Sequence, residues 1–283
     1  MEKTITLVLG PTCVGKTDYA IRLAKEYGSP VISCDSRQIF REMHIGTAPP
    51  SREQLEETKH YFIHSHSVRQ YYSAGQYELE ALELVNRLFC DYDRLVMVGG
   101  SGLYADAFCY GLDDFPPADQ ELRKKLTDRA LTEGIGALAE ELKVLDPESY
   151  LTMDISNRQR VVRALEVTLS TGRKFSSFKS SPKKPRPFYI DRICLSMDRN
   201  ELYDRINRRT EKMFEDGLVD EVRSLEAFRE MPALNTVGYR EVFEYLDGRI
   251  SLDEAVELVK RNTRRYAKRQ VTYFAKEKQV PVS

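Results

Sequence analysis

Residues 4–17 read TITLVLGPTCVGKT. The first six form a short β-branched run, the pattern of a buried strand. The last eight, Gly10-Pro11-Thr12-Cys13-Val14-Gly15-Lys16-Thr17, match the phosphate-binding pattern G-x-x-x-x-G-K-[ST] at each fixed position. Beyond them Ala20, Leu23, Ala24 and Tyr27 recur at helical spacing, and Gly28 supplies a stop. Strand, glycine loop and helix, in that order, are the context this motif requires. The loop's backbone N–H groups and the helix N-terminus make an anion nest. Lys16 adds a point charge, and the Thr17 hydroxyl is a ligand for Mg2+. The usual reading is an ATP or GTP site. Two joined phosphates fill such a nest, however, and nothing in the loop demands a nucleoside beyond them.

Working outward, Val31-Ile32-Ser33-Cys34 is a second strand ending at Asp35, followed by a polar helix candidate over 51–59. A further helix spans 76–89, with Tyr77, Ala81, Leu84, Val85 and Leu88 on one face. A third strand, Arg94 to Val98, runs into Gly99-Gly100-Ser101-Gly102. Alternating strands and helices imply an α/β fold with a mostly parallel sheet, in which ligands bind at the carboxyl ends of strands. The pattern changes near Asp113-Asp114-Phe115-Pro116-Pro117, and to about Arg173 the chain reads as helices. Residues 173–188, RKFSSFKSSPKKPRPF, are basic and broken by Pro182, Pro185 and Pro187, a linker composition. Residues 189–197, YIDRICLSM, return as a strand, and helices complete the chain. The expected architecture is a core like that of the P-loop nucleoside-triphosphate hydrolases, from residues 1–114 and 188–283. A helical insertion domain occupies 115–187.

Bulk properties narrow the options. Hydrophobic residues make up 41% of the 283, enough for a packed core and too many for a disordered chain. The net charge of -1 predicts no polyanion partner, so any nucleic-acid surface must come from local clustering. The five cysteines, Cys13, Cys34, Cys90, Cys109 and Cys194, are scattered and form no C-x-x-C pair. That argues against a disulfide framework or zinc ribbon and fits a reduced cytoplasm. No stretch is apolar for long enough to span a membrane.

Each candidate group carries a dull reading beside the chemical one. Asp35, at a strand end beside the phosphate loop, suits a general base or a magnesium ligand. It suits a helix N-cap equally well. The third strand ends in Gly99-Gly100, so the acid that usually closes that strand in phosphate-loop ATPases is missing. His60 and His64 in HYFIHSH have the i, i+4 spacing of a metal pair, but the aromatic, β-branched run reads as extended and zinc is not expected. Arg158, Arg160 and Arg163 form one basic group. Lys260, Arg261, Arg264, Arg265, Lys268 and Arg269 form another, which helical geometry places on one broad face. A row of this kind is either a solvated helix face or a track for a phosphate backbone. Arg205, Arg208 and Arg209 offer a guanidinium that reaches a transferring group.

Taken together these motifs resemble the bacterial tRNA dimethylallyltransferases, also called isopentenyl-tRNA transferases. The matching residues are GPTCVGKT (10–17), DSRQIF (35–40), HIGTAPP (44–50), GGSGLY (99–104) and NRQRVVRALEV (157–167). ELYDRINRR (201–209) with GLVDEV (217–222), TVGYREV (236–242) and NTRRYAKRQVTYF (262–274) complete the set, in the family's order. Ser101 stands where the family usually has Thr. Lys59-His60-Tyr61-Phe62-Ile63-His64 departs from a usual Pro-His-His-Leu-Ile-Asp.

The resemblance implies transfer of the dimethylallyl group from dimethylallyl diphosphate to N6 of the adenosine just 3′ of the anticodon, tRNA position 37, releasing diphosphate. It implies Asp35 as general base, with Lys16, Thr17 and Mg2+ on the leaving diphosphate, assisted by Arg205 or Arg209. Residues 10–17 hold the diphosphate or a nucleotide. Asp35, Ser36, Arg37, Gln38, Ser101, Arg123, Gln159, Arg160, Val161, Val162 and Arg163 are the implied tRNA contacts, and the last helix is expected on the anticodon stem. A cytoplasmic monomer is expected. On the residues alone a small-molecule kinase, a prenyltransferase of free AMP and a non-catalytic RNA-binding module stay open.

Overall fold

The computed structural model describes residues 2–179 and 183–282; Ser180, Ser181 and Pro182 of the basic linker lie outside the described residues. The chain divides into two units, Met1–Cys109 with Arg186–Ser283, and Tyr110–Pro185. These bounds fall a few residues before the expected 115 and 187.

The first unit begins with β1 (Thr4–Leu9), α1 (Lys16–Tyr27), β2 (Val31–Ser33), α2 (Arg52–Glu57), β3 (His60–Tyr61), α3 (Ala74–Leu88), β4 (Arg94–Val98) and α4 (Gly102–Tyr110). Ile5, Leu7, Val8 and Leu9 of β1 are all fully buried, as in a strand covered on both faces. α1 stops at Gly28, whose φ of 64° is a left-handed C-cap conformation. α2 and α3 open on capping boxes, Ser51 with Gln54 and Ser73 with Gln76. α3 buries Tyr77, Ala81, Leu84, Val85 and Leu88, the face its periodicity predicts.

The second unit is helical: α5 (Gln120–Thr132), α6 (Ile135–Leu145), α7 (Pro147–Thr152) and α8 (Arg158–Thr171). Leu126, Leu138, Leu142, Val161, Val162, Ala164 and Leu165 form its core. Fully buried Asp146 caps α7 and accepts four hydrogen bonds, from the N–H and Oγ of Ser149 and the N–H and Oγ of Ser176, at 2.6–3.1 Å. Burial pushes its carboxyl up, and the hydrogen bonds outweigh that and hold it below the usual carboxylate range.

The chain returns to the first unit through β5 (Tyr189–Ser196), α9 (Arg199–Glu215), α10 (Leu218–Ser224), α11 (Tyr239–Leu246), α12 (Leu252–Tyr273) and β6 (Lys278–Pro281). The sheet order is β3-β2-β4-β1-β5-β6 and each pairing is parallel. Helices therefore do not complete the chain, as expected above: β6 adds a strand beside β5. It is an exposed edge of four residues ending in Pro281, with no apolar alternation to announce it. The HYFIHSH run is also less extended than its composition suggests. Only His60 and Tyr61 are strand, and Phe62 and His64 take positive φ of 60° and 48°.

Because β1, β4 and β2 are neighbours running parallel, the glycine loop, the β4 end at Gly99 and the β2 end at Asp35 open on the same edge of the sheet. The backbone after Asp35 is fixed from two sides. His64 N–H donates to Gln38 O and His66 N–H to Ile39 O, each at 2.9 Å. Ile39, Phe40 and Met43 pack with Leu218, Val222, Tyr239, Val242 and Phe243 of α10 and α11.

Removal of the Asp146 carboxylate strands the Ser149 and Ser176 donors. Asp146→Ala is expected to cost about 3 kcal/mol, read from the midpoint of urea denaturation. Since the folded pKa is depressed, this contribution is present above the unfolded carboxylate range and is lost as pH falls through the lower folded value.

Candidate functional site

The glycine loop takes two left-handed turns. Cys13 has φ 67° and Gly15 φ 93°, so the chain coils tightly before α1. The first N–H groups of α1 have no carbonyl one turn earlier to bond, which leaves them for an anion. Gly10 is required for another reason. A Cβ there would meet the Leu195 carbonyl of β5 at 2.8 Å.

Three side chains brace this loop with neutral partners. Lys16 Nζ donates to Pro11 O at 2.6 Å. Arg209, from α9, donates through Nη2 to Thr12 Oγ1 at 2.6 Å. Gln270, from α12, accepts from Thr12 N–H at 2.9 Å and donates to Gly100 O at 2.8 Å. Burial lowers the Lys16 ammonium to a pKa of about 8, with Asp35 pulling it up and Arg209 pushing it down. Arg205 instead pairs with Glu201 one turn back at 2.6 Å, and Arg208 is exposed. Of the two arginines left open by the sequence, Arg209 is the one at the loop.

Asp35 performs the capping role considered for it, though on a turn instead of a helix. Its Oδ1 accepts from Arg37 N–H at 2.8 Å and Gln38 N–H at 3.3 Å, leaving Oδ2 for other work. Ser36 and Ser101 are joined: Ser36 N–H donates to Ser101 Oγ at 2.9 Å, and Ser101 Oγ donates to Ser36 Oγ at 3.0 Å. Tyr266 of α12 also bonds Ser101, and burial beside Asp35 pushes its phenol up to about 12. Arg37 donates to Pro232 O at 3.2 Å, and burial lowers its guanidinium pKa. Gln38 Nε2 donates to Thr47 and Ala48 carbonyls at 3.3 and 2.8 Å, which ties the turn to the HIGTAPP stretch. Glu221 holds that stretch further, accepting from the N–H groups of His44, Ile45 and Gly46.

Among the described residues no group of three or more His, Cys, Asp and Glu side chains is placed to hold a metal. The Thr17 hydroxyl at the first turn of α1 is a single protein donor. That fits a magnesium ion bound chiefly by substrate phosphate and water, which is how this ion is usually held.

In the helical unit, Glu166 gathers two of the expected RNA contacts. Its buried carboxylate receives Arg123 Nε and Arg163 Nη1, each at 2.7 Å, and Asp119 N–H at 2.9 Å. Gln159 and Arg160 are exposed on the first turn of α8. Val161 and Val162 are 0% and 4% exposed, so their side chains belong to the core and offer no surface. The six basic residues of α12 also divide. Lys260 pairs with Glu211 and Glu257, and Arg264 donates to Asn207 Oδ1 on α9. Arg261, Arg265, Lys268 and Arg269 remain exposed, so the row expected on one broad face splits in two.

Sequence reading missed a second stripe on α12. Tyr266, Gln270 and Tyr273, at i, i+4 and i+7, meet Ser101, Gly100 and Gly102 of the glycine turn. The helical spacing of these polar side chains was the available signal, but the basic residues between them dominated the composition.

Lys16 is charged below pH about 8 and neutral above it. Affinity for inorganic diphosphate is therefore expected to weaken as pH rises through that value. Calorimetry from pH 7 to 10 checks this, with proton uptake on binding near the upper end.

The sequence profile described as IPP transferase matches residues 38–277. A protein of Porphyromonas gingivalis strain W83 named tRNA dimethylallyltransferase 1 is 48% identical over 276 residues, covering 98% of this chain and 92% of that protein. A Bacteroides fragilis protein of the same name is 46% identical over 278 residues, with the same coverage. Among solved structures, the full-length tRNA isopentenylpyrophosphate transferase of Bacillus halodurans matches with a TM-score of 0.71 at 34% identity, covering 99% of this chain and 90% of that one. A eukaryotic dimethylallyltransferase acting on tRNA matches with a TM-score of 0.80 over 99% of this chain and 74% of its own, at 22% identity, a likeness of fold alone. The chain belongs to the IPP transferase family.

Proposed function

We propose that this chain transfers the dimethylallyl group of dimethylallyl diphosphate to N6 of the adenosine at tRNA position 37, releasing diphosphate. The observation that carries this reading is the set Lys16, Arg209 and Asp35 around one glycine loop, with no acid at the end of β4. The names of the relatives at 46–48% identity point the same way.

The chemistry follows from the side chains. An exocyclic adenine amine is a poor nucleophile until it loses a proton. As N6 bonds to C1 of the dimethylallyl group, the C1–O bond to diphosphate breaks. Asp35 accepts the N6 proton through Oδ2, since Oδ1 is engaged by the turn. Negative charge grows on the leaving diphosphate, where the loop N–H groups, Lys16 and Arg209 stabilise it. Magnesium at Thr17 supplies further charge neutralisation when bound. Ser36 and Ser101, locked to each other and to Tyr266, give the adenine a fixed wall.

The acceptor base lies in an RNA loop and must leave its stack, at about a few kcal/mol. In this reading Arg37 and Gln38 of the first unit repay this through RNA contacts, and Gln159, Arg160, Arg123 and Arg163 of the helical unit add contacts of their own, the last two oriented by Glu166. Exposed Arg261, Arg265, Lys268 and Arg269 carry the anticodon-stem backbone, so tRNA affinity falls with salt. Such an enzyme works in the cytoplasm with its substrate.

Nucleoside mass spectrometry decides among the readings. The chain is incubated with dimethylallyl diphosphate and unmodified tRNA, with dimethylallyl diphosphate and AMP, or with ATP and tRNA. A mass gain on adenosine in the first mixture alone is expected. Prenylated AMP, or phosphorylated product with ATP, overturns the proposal. Asp35→Asn is expected to lower kcat about 10²–10⁴-fold while tRNA binding by filter retention stays within twofold. Arg209→Ala is expected to lower kcat about 10²–10³-fold, and Arg205→Ala to stay near the unmodified chain.

A further inference from the structure

Gln270 is 5% exposed and lies on α12, far along the chain from every phosphate-binding residue. Its amide nevertheless joins the two glycine-rich turns of the site. Thr12 N–H has only a hydrogen to give, so it requires the oxygen of the amide, at 2.9 Å. The Gly100 atom it meets is a carbonyl oxygen, which can only accept, so it requires the NH2, at 2.8 Å. The two partners fix the orientation of the amide and leave no isostere that serves both. A glutamate accepts at Thr12 but sets an oxygen against an oxygen at Gly100. A methionine fills the volume and bonds neither.

The consequences reach the ligand. Thr12 N–H is turned away from the nest and onto Gln270, which sets where in the loop the free donors begin. The same residue's hydroxyl receives Arg209 at 2.6 Å, so the height of Thr12 also sets the aim of that guanidinium. Gly100 is shaped to the same contact, since a Cβ there would lie 2.3 Å from Gln270 Nε2. Because that amide is pinned at both ends, it cannot swing aside without giving up a bond.

From these contacts we propose that Gln270 is a positioning residue for the diphosphate site, holding the phosphate loop against the glycine turn and aiming Arg209 through Thr12. The inference rests on the diphosphate reading above. A displaced loop is expected to weaken diphosphate binding about 10- to 100-fold, the scale set by misplacing groups by about 1 Å.

The test uses the full chain and inorganic diphosphate as probe. Gln270→Met keeps the core filled. It is expected to raise the Kd for diphosphate about 10- to 100-fold and the KM for dimethylallyl diphosphate in step, with kcat lowered less and tRNA affinity within twofold. Gly100→Ala is expected to give the same pattern. In a Gln270→Ala background, where the side chain that the added methyl would strike is gone, Gly100→Ala is expected to cost less than a further twofold. If Gln270→Met does not fold, Gly100→Ala alone carries the reading. Diphosphate binding within twofold of the unmodified chain in a folded variant sinks the inference, as does equal loss of tRNA and diphosphate affinity. A chain that prenylates tRNA and binds diphosphate, yet tolerates Gln270→Met, overturns the inference alone. A chain that binds no diphosphate overturns the proposed function with it.

Discussion

The glycine loop keeps positive charge that no carboxylate has neutralised, and the contacts around it fix the direction of that charge. Most cations near the core have carboxylate partners: Arg192 has Asp106 and Glu277, Arg186 has Glu78, Arg205 has Glu201, Lys260 has Glu211 and Glu257. Lys16 and Arg209 are held by a carbonyl and a hydroxyl. These contacts fix direction without cancelling charge. The depressed pKa of Lys16 is the cost of keeping a cation desolvated beside another, with Asp35 offsetting part of it. In the proposed function an arriving diphosphate relieves the repulsion between Lys16 and Arg209.

In the proposed function Asp35 combines a structural and a chemical role in one carboxylate. An N-cap-like oxygen bonds the backbone N–H groups of Arg37 and Gln38, and this fixes the side-chain rotamer. A second oxygen on the same rigid group then has a defined position, which proton transfer requires. The cap that the structure shows and the base that the proposed function requires are therefore not exclusive readings of this residue. The acid stands at the end of β2, and glycines stand at the end of β4. At Gly99 a side chain would strike the buried Cys34 sulfur at 2.5 Å, so the smallness of that turn is enforced by packing.

Strands, helices and the parallel sheet were legible wherever a strong local signal coincided with the tertiary demand. TITLVL, RLVMV and the α3 face are such cases, because burial on both faces of a sheet or on one face of a helix leaves a periodic record. β6 left none, since an edge strand satisfies its backbone on one side and exposes its side chains. The HYFIHSH run misled in another way. Its aromatic residues suit a strand, but it pairs for two residues and then turns through left-handed conformations to prop up Gln38 and Ile39. The glycine loop and Asp35 were legible as a candidate site because their spacing is fixed by local geometry. Arg209 and Arg205 were not separable, as both lie on α9 and only the packing of that helix shows which one reaches Thr12. Gln270 was invisible for the same reason, 258 residues from its partner.

α12 gathers these lessons in one element. On one side Tyr266, Gln270 and Tyr273 reach the glycine turn; on others Arg261, Arg265, Lys268 and Arg269 face solvent. A helix can carry both because a 100° step per residue sends neighbours in sequence to different faces. Composition averages those faces, so the stretch read as simply basic, just as the whole chain read as neutral at a net charge of -1. A rigid helix with a site-building stripe and a cationic stripe has a mechanical consequence. In the proposed function an RNA backbone held by the outer stripe is referenced to the same helix whose Gln270 bonds the phosphate loop. On that reading donor and acceptor are registered through one helix.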